Sequence, residues 1–193
     1  MEYKDKNQKD WEKFLDTDKV KSNLVRASLY LLSYEMLKNT IVDNIKEFYW
    51  TGFMDGKDIY SEDYNKKVVQ RPVNNGKPHI FLSSLHWLEE HDTISKEEMT
   101  EIGQIREFRD TVAHKIDKII MDSDYDLDEA KQKRIFELIR KIEVWWIQEV
   151  ELPTEPDFDG REIKDEEIIV GKEIIYTHIK NVTDDLLKKP TKE

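Results

Sequence analysis

Arg109, Asp110 and His114 fall within six residues, Arg109-Asp110-Thr111-Val112-Ala113-His114, and their side chains are the ones phosphodiester chemistry needs. A guanidinium stays charged and grips a phosphate at two points. An imidazole, which titrates near ~6.5 when unperturbed, moves protons at neutral pH, and a carboxylate one turn away can orient it. The trio points to RNA cleavage. Ile102, Ile105, Phe108, Val112, Ile116, Ile119 and Ile120 recur around it at three- and four-residue spacing, the pattern of one amphipathic helix. At 100° per residue, Arg109 lies between Ile105 and Val112, inside the apolar stripe, where a guanidinium must find a partner or line a polar cleft. His114 lies about 140° further round, at the edge of the stripe. The alternative is a solvated surface, with Arg106 and Asp110 forming an i,i+4 pair worth a few tenths of a kcal/mol. That accounts for Arg106 and Asp110 but poorly for Arg109, since exposed arginines rarely sit in an apolar stripe.

The elements that must carry these residues read as helices. Residues 1–10 are polar and read as a frayed terminus. A long helix runs from about Asp18, its cap, to Tyr49 through Leu24, Leu31, Leu32, Met36, Leu37, Ile41, Val42, Ile45 and Phe48. Gly52, Gly56, Pro72, Gly76 and Pro78 interrupt the pattern over 50–78, with a short helix expected around Ser61 to Gln70. Ile80 to Glu90 follows as a helix. Ser95-Lys96-Glu97-Glu98 is a capping box that starts the motif helix near Lys96, and that helix is expected to reach about Met121. After a turn at Asp122 to Asp126, a helix spans Leu127 to Val150. Pro153 to Gly160 reads as a linker. Ile168, Ile169, Ile175, Ile179, Val182 and Leu186 mark a last helix ending before Pro190. The expected fold is all-α, an antiparallel helical bundle over residues 11–152, with a linker at 153–161 and an additional C-terminal helix at 162–187, all in one domain. Short connections favour antiparallel neighbours. The last helix packs on the bundle, forms a dimer arm or covers the basic run.

The chain has 193 residues, no cysteine and a net charge of −11. Its length suits one sizeable core, and the missing cysteines exclude a disulfide framework or a thiolate metal site. Neither a signal peptide nor ~20 consecutive apolar residues is visible, so a cytoplasmic protein without membrane insertion is expected. His86 and His91 are about 140° apart on a helix and poorly placed to share a metal, so no metal site and no cofactor are expected. Tyr49, Trp50, Trp145 and Trp146 read as core rather than as base-stacking platforms. A negative chain suits RNA badly, because affinity rests on neutralising phosphates. Residues 151 to 187, however, hold eleven acids against four bases. Lys131, Lys133, Arg134, Arg140 and Lys141 face only Glu137 within 131–141, and this run is either a solvated face or RNA-facing. Arg106, Lys131, Arg134 and Lys141 are the candidate RNA contacts.

The Arg109 to His114 stretch resembles the R-x(4–6)-H signature of the HEPN superfamily, whose motif often carries Asn, Asp or His directly after the arginine, as Asp110 does here. The resemblance covers the motif, its helix and the helical surroundings over about residues 19 to 150. It implies metal-independent endoribonuclease activity, in which the ribose 2′-hydroxyl attacks the adjacent phosphate. His114 would act as base or acid, Arg109 would stabilise the phosphate, and Asp110 would orient the imidazole. It also implies a homodimer, because the motif lies at a two-fold interface where a second Arg109 and His114 complete the cleft. Such proteins act as toxins of toxin-antitoxin pairs or in anti-phage defence, which implies an RNA substrate and an antitoxin or regulatory partner. The rival reading is a non-catalytic helical module that binds a protein or nucleotide and uses Arg109 structurally.

Overall fold

Asp16, Ser95 and His79 each start a helix by supplying an acceptor to an amide that the helix itself leaves unpaired. In the computed structural model, which describes residues 2–125, 127, 129–158 and 163–188, helix α1 spans Glu2–Leu15 and α2 spans Thr17–Phe48. Asp16 Oδ1 accepts from the Lys19 amide at 3.1 Å, so the cap of α2 is Asp16 and not Asp18. Residues 2–10 are likewise helical rather than frayed, and Asp10 Oδ1 accepts from the Ser123 amide at 2.8 Å, while Lys13 Nζ donates to the carbonyls of Asp122 and Tyr125 at 2.8 and 2.7 Å. The fold is all-α, with two small two-stranded antiparallel sheets among the described residues.

Those sheets occupy much of the interrupted region. Strands β1 (Trp50–Met54) and β2 (Lys57–Tyr60) pair Met54 with Lys57, and β3 (Pro72–Asn74) and β4 (Lys77–Pro78) pair Asn74 with Lys77. Each turn is a two-residue Asp-Gly or Asn-Gly, with positive φ at both positions: 52° and 77° at Asp55 and Gly56, 49° and 77° at Asn75 and Gly76. That geometry matches the right-handed twist of paired strands and requires residues that tolerate the left-handed region. Between the hairpins, α3 (Glu62–Tyr64) continues into a π-helical turn at Asn65–Val69, where the short helix was expected.

Helix α4 is Ile80–Glu90 and α5 is Lys96–His114. The capping box is present: the Glu98 amide donates to Ser95 Oγ, and Glu98 Oε2 accepts from the Ser95 amide at 2.9 Å. The motif helix stops seven residues short of expectation. Lys115 adopts φ −129°, ψ 37°, and a separate α6 (Ile116–Met121) follows. The break re-aims the chain so that α6 packs on α1, while Ile119, 1 % exposed, receives the buried Asn23 amide on its carbonyl at 3.1 Å. Helix α7 is Glu129–Trp146, and α8 is Gly171–Leu187. The expected last helix begins later than 162, since Ile168 and Val170 lie in extended chain and pack on Val144 instead. Residues 152–154 and 156–158 of the linker form short 3₁₀ turns, and 159–162 lie outside the described residues, as does Pro190. No helix among the described residues is long and apolar enough to cross a membrane.

By backbone contacts the chain divides into two compact units. The first comprises Met1–Tyr34, Gln104–Phe136 and Gly171–Glu193, and buries Ala27, Leu29, Tyr30, Tyr34, Ile105 and Val112. The second comprises Glu35–Gly103 and Glu137–Val170. Its core is aromatic around Trp87, whose indole N–H donates to the Tyr49 hydroxyl at 2.9 Å and whose ring packs near Trp145 and Trp146. Tyr49 and Trp146 are thus core residues, as expected, whereas Trp50 is half exposed. In the same unit the Arg71 guanidinium binds Glu90 at two points, 2.9 and 2.7 Å, and holds that carboxyl below its ordinary range.

Candidate functional site

Helix α5 positions the motif, and the whole of Arg109 to His114 falls in the first unit. Val112 is fully buried and Ile105 nearly so, which fixes the helix rotation and leaves Arg109 with 31 % of its side chain exposed. Its guanidinium carbon lies 5.5 Å from the centroid of the buried Tyr34 ring, and Nη1 donates to Asp110 Oδ1 at 3.1 Å. These are the polar and aromatic partners that an arginine in an apolar stripe needs.

Each of these two contacts is weak on its own. Cation–π contacts at partly exposed sites contribute about 0.5–1 kcal/mol, and ion pairs this exposed contribute about 0–1 kcal/mol. Adjacent helical positions do not face one another, so both side chains must lean together to make the pair. An arriving phosphate, bound at two points, competes well against such partners.

Asp110 therefore engages Arg109, the neighbour that the sequence reading did not pair it with. His114 is exposed and ends α5. Arg109 leans on Tyr34, and His114 faces solvent. No family model, curated protein or solved structure matches this chain.

Of the candidate RNA contacts, Lys131 and Arg134 on α7 lie in the same unit as the motif, as does Arg106 on α5. Lys131 Nζ sits 4.5 Å from the Phe108 ring centroid, one residue before Arg109, and the Phe108 ring in turn meets Tyr30 edge-on. Lys141 belongs to the second unit and is paired with Glu98 of the capping box. Arg140, from the same basic run, donates to the Asp165 carbonyl at 2.9 Å and anchors the strand-like segment that carries Ile168. The run thus splits: its first half shares a unit with the motif, and its second half holds other chain segments.

Two histidines outside the motif have structural tasks. His79 Nδ1 accepts from the Leu82 amide at 3.4 Å as the cap of α4, and the His91 ring stacks on Trp87 at the other end of that helix. Among the described residues there is no group of three or more His, Asp or Glu that could hold a metal ion.

Proposed function

We propose that this chain is a HEPN-like, metal-independent endoribonuclease that works as a homodimer, serving as a toxin or anti-phage defence effector. The observation that carries the reading is the state of Arg109. Its side chain is 31 % exposed, beside the Tyr34 ring and Asp110, on the same helix that ends in an exposed His114. Lys131 and Arg134 in the same unit add positive charge for the RNA backbone.

In this mechanism Arg109 leaves Asp110 and grips the scissile phosphate, stabilising charge as it builds on the non-bridging oxygens. One His114 takes the proton of the ribose 2′-hydroxyl, whose oxygen attacks phosphorus. The bond to the 5′-oxygen breaks, and a second His114 protonates that leaving oxygen. The products are a 2′,3′-cyclic phosphate and a 5′-hydroxyl. One chain supplies a single His114, so the second comes from a two-fold partner, for which an isologous contact along α5 is the simplest arrangement.

A second reading has its own observation. The Tyr34 and Asp110 contacts also suit an arginine that only stabilises α5 within a protein- or nucleotide-binding module. The two separate on incubating purified protein with mixed RNA. Wild type is expected to cleave, and Arg109→Ala and His114→Ala, with unchanged helical circular dichroism, are expected to lose most activity. Inactive wild type, or loss of folding rather than of cleavage in Arg109→Ala, favours the module.

A further inference from the structure

The break between α5 and α6 has no cause in its own sequence. No glycine or proline stands between Arg109 and Asp122, and the apolar spacing of Val112, Ile116, Ile119 and Ile120 continues across Lys115 as in one helix. The Lys115 amide still donates to the Thr111 carbonyl at 2.9 Å, but the Lys118 amide donates to Lys115 at 3.0 Å, three residues back instead of four. The segment beyond the break is held from outside. On α1, Lys13 Nζ donates to the carbonyls of Asp122 and Tyr125, Asp10 Oδ1 accepts from the Ser123 amide, and Lys6 Nζ pairs with Asp124 at 2.7 Å and Asp122 at 3.4 Å. Lys6, Asp10 and Lys13 are four and three residues apart, so one face of α1 carries them all. Helix α2 adds one bond, from the buried Asn23 amide to the Ile119 carbonyl.

We propose that α1 is a clasp that holds the motif helix broken after His114, and that releasing it lets α5 run on through Lys115 into α6 as one helix. Ending one helix and starting another leaves backbone groups at the junction without helical partners, a cost that the contacts from α1 offset. Without them the local preference of the sequence prevails. The consequence falls on the motif. In a continuous helix Asp117 and Lys118 come one turn beyond His114 on its own face, setting a carboxylate and an ammonium beside the imidazole. The clasp thus governs the surroundings of His114, and it rests on the ribonuclease reading only for its effect on cleavage.

NMR of the full chain reads the break directly, through the Cα shifts of residues 113–118 and the exchange of the Ile116 and Asp117 amides. In the wild type Lys115 is expected to show a non-helical shift. Asp10→Ala combined with Lys13→Met should free α1 and move Lys115 to a helical shift. Exchange at Ile116 and Asp117 should then slow by about tenfold, since a continuous helix offers them the Val112 and Ala113 carbonyls. Should that variant lose its fold, Lys6→Ala, at an exposed pair, is expected to show the same changes in part of the population. Ile116→Pro, at the first position of α6, should keep the break in either background, because proline fits a helix start and cannot continue a helix. A non-helical Lys115 after the α1 amides lose protection, melting of 113–121 to coil, an α1 still protected in the double variant, or wild-type shifts in Lys6→Ala would overturn the proposal. RNA cleavage is read separately: a wild type that cleaves nothing removes the ribonuclease reading, while the shifts still decide the clasp.

Discussion

At the scale of single residues, Asp110 separates two accounts of the motif. If it orients the imidazole, Asp110→Asn lowers cleavage. Its carboxylate is instead seen on Arg109, where it competes with phosphate. Asp110→Asn should therefore tighten RNA binding, by up to about fivefold given the weakness of so exposed a pair. Filter binding at low salt measures it, and weaker binding would return Asp110 to the histidine. Arg109→Lys keeps the charge but loses the planar two-point grip, so cleavage should fall well below wild type despite normal folding. Near-normal turnover in that variant would show that charge alone suffices. The oddity of Arg109 was legible in the sequence, because the stripe around it was regular. Its partners were not: Tyr34 lies 75 residues earlier, and periodicity along one helix carries no information on what packs against it.

At the scale of elements, the Arg71 and Glu90 pair fastens the segment leading into β3 to α4. The Glu90 pKa is lowered, chiefly by the hydrogen bond from Arg71, so its stabilising contribution is complete above the unfolded carboxylate value of about 4.3 and is lost as pH falls through the lower folded value. Arg71→Ala should thus destabilise the protein at pH 7 and remove part of the stability lost on acidification, as followed by urea unfolding from pH 7 to pH 3. An unchanged acid limb would mean that the pair is not formed in solution. Lys13→Met should cost about 2 kcal/mol in the same assay, since the ammonium is nearly buried and caps two carbonyls beyond α6.

Among the elements themselves, the helices that announce their own ends were readable, as Ser95 and Glu98 show. The hairpins were not read, although Asp55-Gly56 and Asn75-Gly76 carry the turn signal, because the surrounding glycines and prolines look the same in a loop. The break at Lys115 left no mark, as neither glycine nor proline is present and the apolar spacing runs on through Ile116 and Ile119. What stops the helix is tertiary, the packing of α6 on α1.

At the scale of the whole molecule, charge and assembly decide whether the motif meets RNA. Glu155, Asp157, Glu166 and Glu167 are exposed, while Asp159 lies outside the described residues. Neutralising all five should raise RNA affinity at low salt through reduced repulsion. Truncation after Glu151 is a poorer test, because it removes Ile168 and Val170 from their packing on Val144. Unchanged affinity in the neutralised chain would leave these acids a role in solubility or partner binding only. Light scattering at micromolar concentration is expected to report a dimer, and a monomer that still cleaves RNA would remove the need for a second His114. The central claim is transesterification driven by Arg109 and His114. Its most direct test is the end-group chemistry of RNA cleaved by the purified wild-type protein in EDTA. The account predicts undiminished cleavage that leaves 2′,3′-cyclic phosphate and 5′-hydroxyl ends. Strict dependence on Mg²⁺ or Mn²⁺, or 5′-phosphate ends, would contradict it.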